Sequence, residues 1–176
     1  EKTKQDDAII RVVPTFNSDS AYHYVKAQCD FGPRVPGTEA HAVCLNYFVE
    51  HFNRFGADTV IVQHGEAMLY DGSKMPIHNV VASYGIGKPN RVMICAHWDS
   101  RPFADNDINP ANRRKAIIGA NDGASGVGVI MELARQLGLK DASMGVDLIL
   151  FDLEDWGAPD WAQSKLPDGG WALGSK

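Results

Sequence analysis

The feature that most constrains this chain is a pair of short apolar runs, Val92 to Ala96 and Val146 to Phe151, flanking one helical stripe. Each run has the length of a strand buried on both faces and is too short for a helix. Between them Val127, Ile130, Met131, Ala134 and Leu137 fall on one helical face, and Gly138 ends the stripe. The order strand, long loop, helix, strand is that of a crossover, so the two runs are expected to pair in parallel.

The N-terminal half has other periods. Ser18-Asp19-Ser20 offers cap chemistry for a helix carrying Ala21, Tyr24, Val25 and Gln28 and stopping at Gly32-Pro33. Thr38 then caps a second helix whose apolar face is Leu45, Phe48, Val49, Phe52 and Phe55, with Gly56 at its C-terminal end. Val60 to Val62, Met68 to Tyr70 and Ile77 to Tyr84 read as extended, with a turn at Asp71-Gly72, and predict a hairpin. Gly85-Ile86-Gly87 precedes a strand, so it reads as a turn and not as a dinucleotide-binding loop. A hairpin followed by a crossover gives an α/β sandwich on a mixed sheet.

Composition narrows the function classes. The 176 residues are 44% hydrophobic and 22% charged, the balance of one globular domain, and carry a net charge of −5, which offers no footprint for nucleic acid. No run is long and apolar enough to span a bilayer, and the polar start Glu1 to Asp7 lacks a signal-peptide core. Cys29, Cys44 and Cys95 are too few for a disulfide scaffold and read as buried free thiols.

In open α/β sheets the carboxyl ends of the strands carry the chemistry. Here those ends hold His97-Trp98-Asp99 and Asp152-Leu153-Glu154-Asp155, and Asp122 stands just before the crossover helix. Acids crowded out of water repel unless they take up protons or share a cation. Imidazole plus carboxylates, with no cysteine pair, suits zinc in an open site. His97 and Asp99, two apart, can face the same side, or Asp99 can orient the imidazole from behind. Glu154, with the longer reach, is assigned proton transfer, and Asp155 the metal. Singly, each has a plainer reading: Asp122 as a helix cap, Glu154-Asp155 as a solvated loop, His97 as a core residue. His23, His41, His51, His64 and His78 read as surface or packing residues. The unpatterned segment Trp98 to Ala124 is expected to border the site. Trp156, Trp161 and Trp171 suggest a pocket for a flat or apolar group, or simply packing under a loop.

Cys95 to Ser100, the turn Gly119 to Gly126 and Phe151 to Asp155 resemble, in order and spacing, the superfamily of zinc aminopeptidases and glutaminyl cyclases. Phe31 to Thr38, Arg101 to Asp105 and Leu173-Gly174-Ser175 look more like its bacterial glutaminyl cyclase branch. The resemblance implies a three-layer α/β/α sandwich with a mixed, mostly parallel central sheet. It implies Asp122 and Asp155 as zinc ligands, Glu154 as general acid/base, His97 as a ligand in the two-zinc peptidases, and Trp161 as a substrate-pocket wall. One zinc is expected in a cyclase and two in an aminopeptidase. The expected activity is conversion of an N-terminal glutamine to pyroglutamate with release of ammonia; the alternatives are zinc aminopeptidase hydrolysis and a non-catalytic binding domain of the same fold. The substrate is a peptide or protein N-terminus, and the setting secreted or periplasmic. Asp155 stands where the superfamily usually has glutamate. The family also draws a histidine and an aspartate from a C-terminal segment, and the chain stops at Lys176 before either, so residues 1–176 read as a single catalytic domain lacking that part.

Overall fold

The hairpin and the crossover meet in one four-stranded sheet. A computed structural model describes residues 13–176; the polar start Glu1 to Asp7 lies outside the described residues. Helices α1 (Ser18–Asp30) and α2 (Glu39–Arg54) precede strands β1 (Thr59–Met68), β2 (Lys74–Tyr84) and β3 (Arg91–His97); α3 (Ala124–Leu139) and β4 (Gly145–Phe151) follow. Strand order is β1-β2-β4-β3. β1 pairs β2 and β2 pairs β4 antiparallel, whereas β3 and β4 run parallel with Ile94 opposite Leu148. The sheet is therefore mixed, as expected, but among the described residues its parallel share is one ladder in three. The hairpin returns β2 beside β4, which places the crossover strand β3 at the edge.

The helices begin where side-chain oxygens can cap them: Asn17 accepts from the Ser20 amide, and Thr38 from the His41 amide. α2 lays Cys44, Phe48 and Phe52 on one sheet face, and α3 adds Val127, Ile130, Met131 and Ala134. Strand residues one apart face opposite ways, so Val80, Ala82 and Tyr84 of β2 meet Val146, Leu148 and Leu150 of β4 beneath those helices. Each of the largest of these side chains contributes about 1.5–3 kcal/mol by leaving water.

The opposite face is different. Among the described residues only one end is covered, where Leu173 and Trp156 close over Leu69, Ile77 and Leu153. Ile61, Met93 and Cys95 on that face are exposed. Two layers of the expected three-layer sandwich are thus present among the described residues. Two expectations change for the same reason. β3 is not buried on both faces, since among the described residues it is an edge strand with nothing over its outer side, and Cys95 is an exposed thiol; Cys44 is buried and Cys29 half-buried, all three free.

Candidate active site

The carboxyl ends of β3 and β4 lie side by side because these strands are parallel, His97 opposite Phe151. The chain beyond β4 turns abruptly. Leu153 is fully buried with φ +53°, a left-handed conformation that a leucine adopts only when its surroundings impose it. The constraints are visible. Asp152 Oδ1 accepts from the Leu153 amide at 2.8 Å, and the Leu153 and Glu154 carbonyls accept from the Leu173 and Ala172 amides at 3.0 and 2.8 Å. Asp99, with no exposed surface, accepts from the Glu154 amide through Oδ1 at 3.0 Å and from the Asp155 amide through Oδ2 at 3.1 Å. The turn sends the neighbouring Glu154 and Asp155 side chains to different surroundings.

The other wall is the loop before α3. Gly123, the residue before the helix, has φ +84°, and a Cβ there would stand 2.8 Å from the Asp99 carbonyl and 3.2 Å from the His97 ring. Only glycine lets the loop approach so closely. No side chain caps α3. Asp122 instead accepts from His97 Nε2 at 2.9 Å, so the plain capping reading of Asp122 fails. His97 Nδ1 is buried without a hydrogen-bond partner, 3.5 Å from Asp99 and 3.8 Å from Glu154.

Charge follows this geometry. Burial pushes the Asp155 carboxyl up to about 7, with the negative charges of Asp122 and Asp99 adding to it. Burial also raises Glu154, where His97 opposes and Asp99 and Asp122 reinforce the shift. Burial disfavours charge on His97, but Asp99, Glu154 and Asp122 outweigh it and hold its pKa at about 9. Three acids, Asp99, Glu154 and Asp122, therefore share one cationic imidazolium, and Asp155 titrates near neutrality. The donor chemistry, imidazole and carboxylate oxygen, suits a borderline divalent cation such as zinc. Among the described residues no three His, Cys, Asp or Glu side chains are grouped to hold an ion by themselves.

Several supporting residues carried no role in the sequence reading. Arg34 is fully buried and donates to the carbonyls of Trp98, Ile118 and Gly119 at 2.9, 2.8 and 2.8 Å, tying the end of β3 to the loop that carries Asp122. Gly119 turns there with φ +60°, where a Cβ would lie 3.0 Å from the guanidinium. Asp152 accepts from His41 Nε2 at 2.9 Å, and His41 stacks on Trp98 at 4.1 Å. Arg101 pairs with Asp105 and donates to the Asp155 and Gly157 carbonyls at 3.2 Å. A lone arginine inside the Gly/Pro-rich Phe31 to Gly37 was the available signal for Arg34. The tryptophans divide. Trp156 packs in the small core, and Trp171 lies under the Arg101 guanidinium at 4.5 Å. Trp161 is 39% exposed, edge-to-face with Phe103 at 5.5 Å and beneath Arg114 at 4.7 Å.

The comparisons agree with this architecture. The model of peptidase family M28 matches residues 79–176, more than half of the chain and all of the acidic site. The crystal structure of Tannerella forsythia glutaminyl cyclase matches at 48% identity and a TM-score of 0.88, over 92% of this chain and 55% of that one. A Zn-dependent exopeptidase from Parabacteroides distasonis matches at 46% and 0.89, over 93% and 56%. The glutaminyl-peptide cyclotransferase of Drosophila melanogaster is 24% identical over 137 residues, 73% of this chain and 36% of the relative. The chain spans about half the length of those solved structures and under two fifths of the curated relatives it matches. From the acids at the paired strand ends and the match across them, the chain belongs to peptidase family M28.

Proposed function

We propose that the protein is a zinc-dependent glutaminyl-peptide cyclotransferase, of which residues 1–176 form the part of the catalytic domain that carries the acids. The observation that carries this reading is Glu154, a half-buried carboxyl with a raised pKa, its backbone fixed by Asp99 and its side chain 3.8 Å from His97. The likeness to glutaminyl cyclases at 44–48% identity supports the choice of reaction.

Asp122 and Asp155 would hold the zinc, with His97 as a further ligand, and the cation would offset the burial and the neighbouring negative charges that raise Asp155. Bound there, zinc would supply positive charge to polarise the γ-carbonyl of an N-terminal glutamine. Glu154 takes a proton from the α-amino group as its nitrogen bonds to the side-chain amide carbon Cδ, then delivers that proton to Nε as the Cδ–Nε bond breaks and ammonia leaves. Asp99 keeps Glu154 and Asp155 in place and does not itself touch the substrate. Trp161 would form one wall of the substrate pocket.

The exopeptidase likeness favours a second reading, in which Glu154 activates a water, two zinc ions are bound, and the first residue is released. Incubating the complete protein with a glutamine-initiated peptide separates them. Cyclisation leaves the peptide lighter by one ammonia; hydrolysis frees an amino acid. Turnover unchanged by Glu154→Gln would contradict the assigned role in either reaction, and a protein inert toward both would be a binding domain.

A further inference from the structure

Outside the acidic site, His64 on β1 and His78 on β2 stand directly opposite each other in the antiparallel ladder. Their Nδ1 atoms are 2.9 Å apart and their rings meet edge-to-face at 5.0 Å. His64 is exposed and His78 half-buried, so the pair opens to solvent on one side only. The His78 backbone is fixed at both ends, its amide donating to Asp152 Oδ2 at 2.9 Å and its carbonyl accepting from Trp98 Nε1 at 3.2 Å. The His41 ring, 6.1 Å away, backs it from inside. Burial holds the His78 imidazole below its ordinary pKa, which keeps it neutral and able to donate a lone pair.

Two neutral imidazoles at this distance share one Nδ1 proton in a hydrogen bond. The same spacing suits a chelate. Nitrogens each about 2.0–2.1 Å from one ion lie about 2.9 Å apart at a right angle and about 3.3 Å apart at the tetrahedral angle. A right angle belongs to square-planar copper(II) or nickel(II), and copper(II) binds nitrogen donors most tightly of the divalent first-row ions. We propose that His64 and His78 form a two-imidazole site for a square-planar divalent ion, copper(II) above all, separate from the catalytic acids. A rotation of each ring by roughly 45° swings both Nδ1 lone pairs off the line between them and onto the ion. The shared Nδ1 proton is lost to solvent and one is taken up at Nε2 of the same ring, so both rings stay neutral. Among the described residues no third His, Cys, Asp or Glu completes the group, so water fills the remaining positions and the ion stays exchangeable.

The test is electron paramagnetic resonance of the complete protein, first saturated with zinc and then given one equivalent of copper(II). The expected wild-type spectrum is a square-planar copper signal split by two nitrogens. That signal is lost in His64→Ala, a change at an exposed strand position, and survives in His23→Ala, which removes an exposed histidine elsewhere. The proposal is overturned if wild type shows no nitrogen-split copper, or if His64→Ala shows the wild-type signal.

Discussion

Replacing Asp99 by asparagine tests whether this buried carboxylate holds the Glu154-Asp155 turn. The native side chain accepts two backbone N–H groups, one on each oxygen, with no exposed surface. Asparagine keeps one oxygen and turns an NH2 toward the other amide, leaving that buried N–H unpaired. Losing a hydrogen bond to a charged group costs about 1.5–3 kcal/mol, and an unsatisfied buried amide about 1–3 kcal/mol more. The change also removes a negative charge that pushes Asp155 up, a relief of roughly 1.4 kcal/mol for each pKa unit returned. Burial is the largest cause of that shift and Asp122 the next, so the part Asp99 contributes is smaller than either and the relief offsets the lost hydrogen bonds only in part. The net expectation is a loss of about 1–5 kcal/mol in denaturant unfolding at pH 8, with the Asp155 carboxyl moving below about 7 by NMR titration. Unchanged stability together with an unmoved Asp155 would refute the anchoring argument.

Other consequences are as specific. Arg34→Met should destabilise the protein by about 3–5 kcal/mol, since the carbonyls of Trp98, Ile118 and Gly119, the first of these contacts buried and the other two half-buried, lose the guanidinium at once; calorimetric melting checks it, and a loss below about 1 kcal/mol would mean that water replaces the guanidinium. Gly123→Ala should cost at least about 1–2 kcal/mol from its positive φ alone and displace Asp122, read as a changed His97 titration by NMR. His51 is buried, donates from Nε2 to the Met131 carbonyl at 2.8 Å, and has its pKa lowered by burial. Above about pH 6.5 it is neutral in both folded and unfolded chains and adds no pH dependence. As pH falls from there toward its folded pKa, the unfolded chain binds the proton first and stability drops by up to about 1.4 kcal/mol per pH unit. His51→Gln, which keeps an N–H donor and does not titrate, should flatten that slope; an equal slope in the variant would assign it to other groups.

The elements were legible where local chemistry and burial agree. The stripe from Val127 to Leu137 forecast α3, Thr38 and Gly56 bracketed α2, and Asp71-Gly72 marked the hairpin, because each is a local choice that packing later confirms. Exposure was not legible at β3: Val92 to Ala96 is as apolar as an inner strand, and only the pairing order among the described residues puts it at the edge. In the site, Asp99 and Asp122 were visible by position, but their tasks come from long-range approach. Asp122 could read as a cap until its carboxylate is found on His97 rather than on α3. Arg34 and Leu153 act through backbone carbonyls and a left-handed turn, which leave no periodic trace in sequence.

The most direct measurement is zinc anomalous diffraction from crystals of the complete protein. The expected result is a zinc peak bound by the carboxylates of Asp122 and Asp155, with the bond between Asp122 and His97 Nε2 replaced by contacts to the ion. Crystals grown with ample zinc that show no peak there, and Asp122 still paired with His97, would contradict it.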